Sequence, residues 1–322
     1  MPSLFKGPDS CRGLCPGYYG VLGRIGQWRT ALSYRQISAM PFLPLRALPP
    51  SGNASLANMW LERIADRLAH PSGHLATDRA VLCRETLAAL CYPEYAANWD
   101  TAVADEAIPV GTRLALSALD PRNITLEPEY YSDCDDSRFQ PVKPLLWLWY
   151  SFDRTPLGGQ NIELGVRLRR LLAAYIFKRC GENFKAFHNV EFSFGYNMDV
   201  GDNVVVHRHV LLDDRGGIQI ANNVSISDYA NIYSHTHSIV DQRDVTNVLT
   251  VLEDGVRVTY HATVLAGVHV GEQGMVGASA VATKDVRPYH VYVGIPAKSV
   301  RVKPNAPEPG TILRTSEHRA PR

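Results

Sequence analysis

The sequence predicts a mainly β chain built on a parallel β-helix, preceded by a mostly helical N-terminal region. Three observations carry this expectation. Apolar residues open successive hexads at Val200, Val206 and Leu212, then at Ile220, Ile226 and Ile232 after a two-residue slip. After a longer excursion they resume at Leu252, Val258, Val264, Val270, Val276 and Ala282. A second row of mostly small or β-branched residues runs four positions behind: Val204 and Val210, then Val224, Ala230 and Thr236, then Val256, Ala262, Val268, Gly274, Ala280 and Val286. Turn formers stand between them, among them Gly201, Asn203, Asp228, Asp254, Gly255, Gly267, Gly271 and Gly277. A six-residue period does not match the 3.6 of an amphipathic helix. It fits one strand and one turn per hexad, with three hexads closing a triangular coil. Coils stacked at about 4.8 Å predict about four to five turns over roughly 20 Å.

Residues 1–54 differ in composition from the rest of the chain. Lys6, Arg12, Arg24, Arg29, Arg35 and Arg46 face a single acid, Asp9, amid many Gly, Pro and Ser. This composition suits a disordered extension, a transit peptide, or a start placed upstream of Met40 or Met59. Residues 55–187 read as mostly helical. Leu56, Trp60, Leu61, Ile64 and Leu68 share one helical face ahead of Pro71. A second helix is expected from Asp78 to Cys91, before Pro93. Glu127 to Asp136 reads as an exposed acidic loop, and Trp147, Trp149, Tyr150 and Phe152 as packing that covers an end or flank of the coil. Asn161 caps a helix expected to run to Cys180, with Gly181 as its stop and Arg167, Arg169 and Arg170 on a solvated face. The coil domain is expected over residues 188–303, with His188 to Phe194 as a first, imperfect turn. The Pro-rich polar stretch 304–322 reads as a disordered tail.

Composition sets limits. The 322 residues are 45% hydrophobic with a formal net charge of +1. No basic stripe is implied, so nucleic acid is not an expected partner. No apolar run reaches the ~20 residues of a membrane span. Cys11, Cys15, Cys83, Cys91, Cys134 and Cys180 have no paired metal-ligand spacing. With no secretory h-region, reduced thiols and a cytoplasmic location are expected.

Histidines gather in the coil region, at 188, 207, 209, 235, 237, 261, 269 and 290. His235-Thr236-His237 stands where the regular coil gives way to the excursion Ser238 to Val251. Extra residues in a solenoid are pushed out as loops, often on the binding face. A neutral histidine beside such a loop is a candidate general base.

Six segments then carry a resemblance: Phe192-Ser193-Phe194-Gly195-Tyr196-Asn197, Asp213-Asp214, Thr236-His237-Ser238, Gly277-Ala278-Ser279, Thr283-Lys284-Asp285 and Gly294-Ile295-Pro296-Ala297-Lys298. In order and spacing, residues 188–303 resemble the hexapeptide-repeat acyltransferases, most of all the galactoside and maltose O-acetyltransferase group. The resemblance implies a left-handed parallel β-helix, a homotrimer, and acetyl-CoA bound between neighbouring coils. It implies His237 as the base that takes a proton from an acceptor hydroxyl. It implies an oxyanion donor from the backbone N–H at Tyr260. Ala278, Thr283, Lys284, Lys298 and Arg301 match positions lining the CoA channel, where cations suit phosphates. Lys284 and Arg301 also read as ordinary surface charges.

The resemblance has departures. The family's acceptor-binding asparagine falls on or beside His207. Its acceptor carboxylate falls on Asp214 or Asp213, and His235 joins them as an acceptor-contact candidate. An expected glutamate is absent, with Leu249 nearby, and a coil tryptophan is Arg257. His207 and His209 suit acceptor contacts or a packed trimer interface equally. The function expected is acetyl transfer from acetyl-CoA to a hydroxyl of a saccharide-like acceptor, with no metal. Transfer to an amino sugar is a subclass of the same reading. Two other classes stay open: a non-catalytic trimeric scaffold, and a hydratase like the metal-dependent carbonic anhydrases, which need three ligands and an open position.

Overall fold

A computed structural model describes residues 52–241 and 243–308. The proposed N-terminal extension lies outside the described residues up to residue 51, as does the tail beyond residue 308.

Six α-helices occupy the N-terminal part of the described chain: α1 Ala54–Ala69, α2 Leu75–Cys91, α3 Trp99–Ala104, α4 Val110–Ser117, α5 Asp136–Asp153 and α6 Ile162–Ile176. α1 buries Leu61, Ile64 and Leu68 and leaves Leu56 exposed. α2 starts ahead of the expected Asp78, because that carboxylate accepts from Gly73 N at 2.6 Å and Ser72 Oγ at 3.2 Å and ties down the turn before it. Asp135 caps α5, its side chain accepting from the Ser137 and Arg138 N–H groups. Asn161 caps α6 as expected.

Three parallel walls come next. Wall one holds β1 Arg179–Cys180, β4 Met198–Val200, β7 Ile218–Ile220, β12 Thr250–Leu252 and β15 His269–Val270. Wall two holds β2 Lys185–Ala186, β5 Val205–Val206, β8 Ser225–Ile226, β13 Arg257–Val258, β16 Met275–Val276 and β18 His290–Val293, and ends on antiparallel β19 Lys298–Val302. Wall three holds β3 Glu191–Phe192, β6 Leu211–Asp213, β9 Asn231–Tyr233, β14 Thr263–Val264 and β17 Val281–Ala282. The architecture is a parallel β-solenoid of about six turns, consistent with the left-handed β-helix expected. All twelve hexad openings from Val200 to Ala282 are buried.

The coil starts earlier than residue 188. α6 stops at Ile176 rather than Cys180, because Arg179 and Cys180 already pair with Asp199 and Val200. Cys180, Ala186 and Phe192 extend the hexad row backwards, and the last two are buried. Thr236 leaves the inner row expected of it. It is exposed on β10 His235–His237, which forms an antiparallel ribbon with β11 Val245–Asn247. The excursion is thus a hairpin rather than an irregular loop.

Corners need backbone in the left-handed region. Asn183, Asn203 and Asn223 supply it between walls one and two, with φ near 56–58°, and their side chains form a hydrogen-bonded column. Between walls two and three the same conformation falls on Asn189, His209, Tyr229, His261 and Ser279.

The helices seal one flank of the coil. Trp149 meets Phe192 edge-on at 5.3 Å, and Phe177 meets Phe184 and Phe192 similarly. Arg169 is not on a solvated face. It is 1% exposed, pairs with buried Asp153, and donates to the Ala186 carbonyl at 3.2 Å. Asp153 in turn accepts from Asn189 N at 2.7 Å. The pair joins the helices to the first turn of the coil, which is why a charge lies buried there.

Candidate active site

The corner between walls three and one is where the chain deviates most from its repeat. After β9, buried Ser234 ties three segments together. Its hydroxyl donates to the Asp213 carbonyl and accepts from Gly216 N at 2.8 Å, while its carbonyl accepts from Val248 N at 2.8 Å. A Cβ on Gly216 would run into the Ser234 carbonyl oxygen, so only glycine fits beneath the hairpin's root. The ribbon pairs His235 with Asn247, Thr236 with Thr246 and His237 with Val245.

His235 and His237 lie two apart on β10 and therefore project from the same face. Their rings meet edge-to-face at 5.2 Å. The Nδ1 of His235 is hydrogen-bonded to Oδ2 of Asp213, whose other oxygen accepts from Ser193 Oγ at 2.6 Å. A carboxylate only accepts, so the Nδ1 that faces it carries a proton, and Nε2 points away from Asp213. His237 is exposed to incoming molecules. Asp214 turns the other way. It is fully buried, and its carboxylate accepts from Phe194 N at 2.7 Å and Asn197 N at 3.0 Å. Burial pushes its carboxyl up to about 6, against those backbone hydrogen bonds. Of the two candidates, Asp213 faces the histidines and Asp214 builds the corner behind them.

The acidic stretch joins this corner. Asp133 accepts from Arg215 Nε at 3.0 Å, Arg215 Nη2 at 2.9 Å and Asn247 Nδ2 at 2.8 Å. The Arg215 guanidinium lies over the Tyr131 ring at 4.3 Å. Partial burial works against the Asp133 charge, but Arg215 and Asn247 outweigh it and hold the carboxyl below its ordinary range. The stretch is therefore not simply a solvated loop.

The other candidates occupy different places. His207 lies at the corner between walls two and three, stacked on Phe187 at 5.0 Å. Burial holds its imidazole below the usual histidine range, against nearby Asp228. One column of rings on that corner runs His188, His209, Tyr229, His261. Tyr260 and Ala278 are exposed there, with Ser279 N donating to the Tyr260 carbonyl at 2.8 Å. Thr283 and Lys284 are exposed after β17, and Lys298 and Arg301 lie on exposed β19.

One chain thus gathers His235, His237 and Asp213 at one edge of wall three, and His207, Tyr260 and Ala278 at the other. A wall about 10–15 Å wide separates them. Among the described residues, two hollows of about 270 and 460 Å³ lie in the helical region, the larger beside Leu56, Trp60 and Leu157. Among the described residues, no group of three or more His, Cys, Asp or Glu side chains is placed to hold a metal ion. No described helix is long and apolar enough to cross a membrane.

Sequence reasoning missed Ser193, Asp133, Arg215 and Asn247. Ser193 was traceable: it stands one 20-residue coil before Asp213. The Asp133 contacts span 82 and 114 residues and leave no periodic trace.

A three-walled solenoid with a histidine-bearing ribbon extruded at one coil edge defines the class, a β-helix protein. No family model matches the chain. A galactoside O-acetyltransferase of Escherichia coli (strain K12) is 26% identical over 140 residues, 42% of this chain and 69% of that protein. A putative acetyltransferase of Staphylococcus aureus (strain Mu50) is 30% identical over 137 residues, 41% of this chain and 69% of that one. A solved galactoside acetyltransferase in complex with coenzyme A superimposes with a TM-score of 0.45 at 20% identity, covering 53% of this chain and 84% of that one. The chain belongs to the hexapeptide-repeat acyltransferase family, with relatives among the galactoside O-acetyltransferases and putative acetyltransferases.

Proposed function

We propose that the protein transfers an acetyl group from acetyl-CoA to a hydroxyl of a saccharide-like acceptor, with His237 as general base. The observation that carries this reading is the exposed His237 on a ribbon extruded from the coil edge, beside a His235 oriented by Asp213. His237 takes the acceptor's hydroxyl proton as the oxygen attacks the acyl carbon, and returns it to the departing thiolate. The thioester supplies the activated acyl group. The backbone N–H of Tyr260 steadies the developing oxyanion. Lys284, Lys298 and Arg301, all exposed, suit the phosphates of CoA, and Ala278 and Thr283 leave room beside them.

Because the two residue sets stand on opposite edges of wall three, a complete site takes one edge from each of two copies. This supports a homotrimer. His235 and Asp213 are the acceptor-side groups beside the base. His207, on the opposite edge, faces the acceptor from the second copy. Asp214 acts on the acceptor only indirectly, through the corner it builds. Where the relatives' pattern has a glutamate, exposed Leu249 makes this acceptor pocket less polar. A cytoplasmic setting belongs to the same proposal, supported by cysteines without paired spacing.

The test is release of CoA thiol from acetyl-CoA against sugars, amino sugars and small alcohols, with His237→Ala alongside. Acceptor-dependent release that falls by about 10²–10⁴-fold in the variant is expected. Release that is equal in both proteins would overturn His237 as base. No release, with no binding of CoA, would favour the scaffold.

A further inference from the structure

We propose that Asp133 is a positioning residue: it holds Arg215 and Asn247 together and thereby fixes the ribbon on which His237 stands. The inference rests on the acetyl-transfer reading for its kinetic readout only.

The ribbon has little stability of its own. β10 and β11 are three residues each, and an isolated two-stranded ribbon is marginal in water. Its far end bears Ile239 and Val240, both almost fully exposed among the described residues, so their apolar side chains add little to holding the tip. Among the described residues, the ribbon is tied to the coil at its root, where Ser234 bonds to Val248 and Gly216, and on its first strand, where His235 bonds to Asp213. The returning strand is tied through Asn247, which stands opposite His235 and gives its side-chain amide to Asp133. Asp133 is itself held by the two-pronged Arg215, whose side chain is 7% exposed. Arg215 is anchored from below, its carbonyl accepting from Asn197 Nδ2 at 3.3 Å. Three segments far apart in sequence thus meet on one carboxylate: the stretch before α5, the slip after β6, and the returning strand of the ribbon. A two-pronged, partly buried pair of this kind has far more directional hold than an exposed one. The helical region therefore sets the position of the histidine strand as well as covering the coil.

The experiment uses the full chain and two variants, Asp133→Asn and Asn247→Ala. Amide hydrogen exchange is read across the ribbon, the coil walls and the helices, and steady-state kinetics are read with the acceptor that the panel identifies. Exchange at Thr236, Ser238 and Thr246 is expected to rise by about tenfold or more in both variants, with the walls unchanged. The acceptor kcat/KM is expected to fall about tenfold, the equivalent of one charge-assisted hydrogen bond, with the KM for acetyl-CoA within about twofold. The double variant should lose no more than the worse single one, because both remove one linkage. Unchanged ribbon exchange in both variants would overturn the proposal. So would exchange rising equally through helices and walls, which marks a general loss of stability. If no acceptor supports acetyl transfer, the functional reading fails, and exchange alone still decides whether Asp133 holds the ribbon.

Discussion

His235 and His237 share one face of a three-residue strand but have different surroundings, and the roles proposed for them rest on that difference. Asp213 and Ser193 orient His235, while His237 stands exposed at the edge. Asp214, one residue from Asp213, is buried and serves the turn. Its carboxyl sits at about 6 instead of 3.8, so the folded chain binds that proton more tightly than the unfolded chain. Its contribution to stability is therefore greatest below about pH 4, declines as pH rises to about 6, and is constant above that. Urea unfolding of the wild type against Asp214→Asn should track this. The wild type's relative stability is expected to fall between about pH 4 and pH 6 and then level off. A relative stability that rises over that interval would contradict the burial argument.

At the scale of elements, the join between helices and coil depends on one buried ion pair. Arg169 and Asp153 connect α6, the end of α5 and the first turn of the coil. Arg169→Ala leaves the Asp153 carboxylate buried without its partner, so a loss of about 3–5 kcal/mol in unfolding free energy is expected. Urea titration at neutral pH measures it, and a loss under about 1 kcal/mol would mean that water replaces the guanidinium there. The sequence placed Arg169 on a solvated face because an arginine beside two others on a helix usually is solvated. Only the carboxylate and carbonyl arriving from other elements make its burial tolerable. The hairpin shows the same limit. The slip and the excursion were visible as breaks in the hexad row, but the pairing of β10 with β11 was not, since three residues per strand carry too little pattern.

For the whole molecule, the separation of the two proposed site halves by wall three makes the proposed assembly testable through activity. His237→Ala damages one edge, and Ala278→Trp would block the other. In the proposed homotrimer, assembled at random from equal amounts of these two inactive chains, about a quarter of the interfaces would pair two intact edges. Activity recovered to about a quarter of wild type is therefore expected from the co-folded mixture. A mixture as inactive as its parents would place both edges in the site of a single chain.

How much could be read in advance depends on the range of each interaction. The coil was legible from residues 200 to 286 because every turn repeats the same demand: an apolar residue inward, then a small one at the corner. Cys180, Ala186 and Phe192 stand on the same row, but the helix expected to run to Cys180 hid the first of them, and the coil was expected to begin only at His188. His237 stood out because a break in a strict period is itself a signal. The sequence by itself determined the three-walled coil, its buried rows and the place where the ribbon leaves it, since local periodicity sets strand, turn and inward face. The tertiary structure alone decided which aspartate faces the histidines, that Arg169 is buried, and that Asp133 reaches the ribbon. Those outcomes depend on groups brought together from 16 to 114 residues apart, and such contacts arise from packing and hydrogen-bond satisfaction rather than from any repeat.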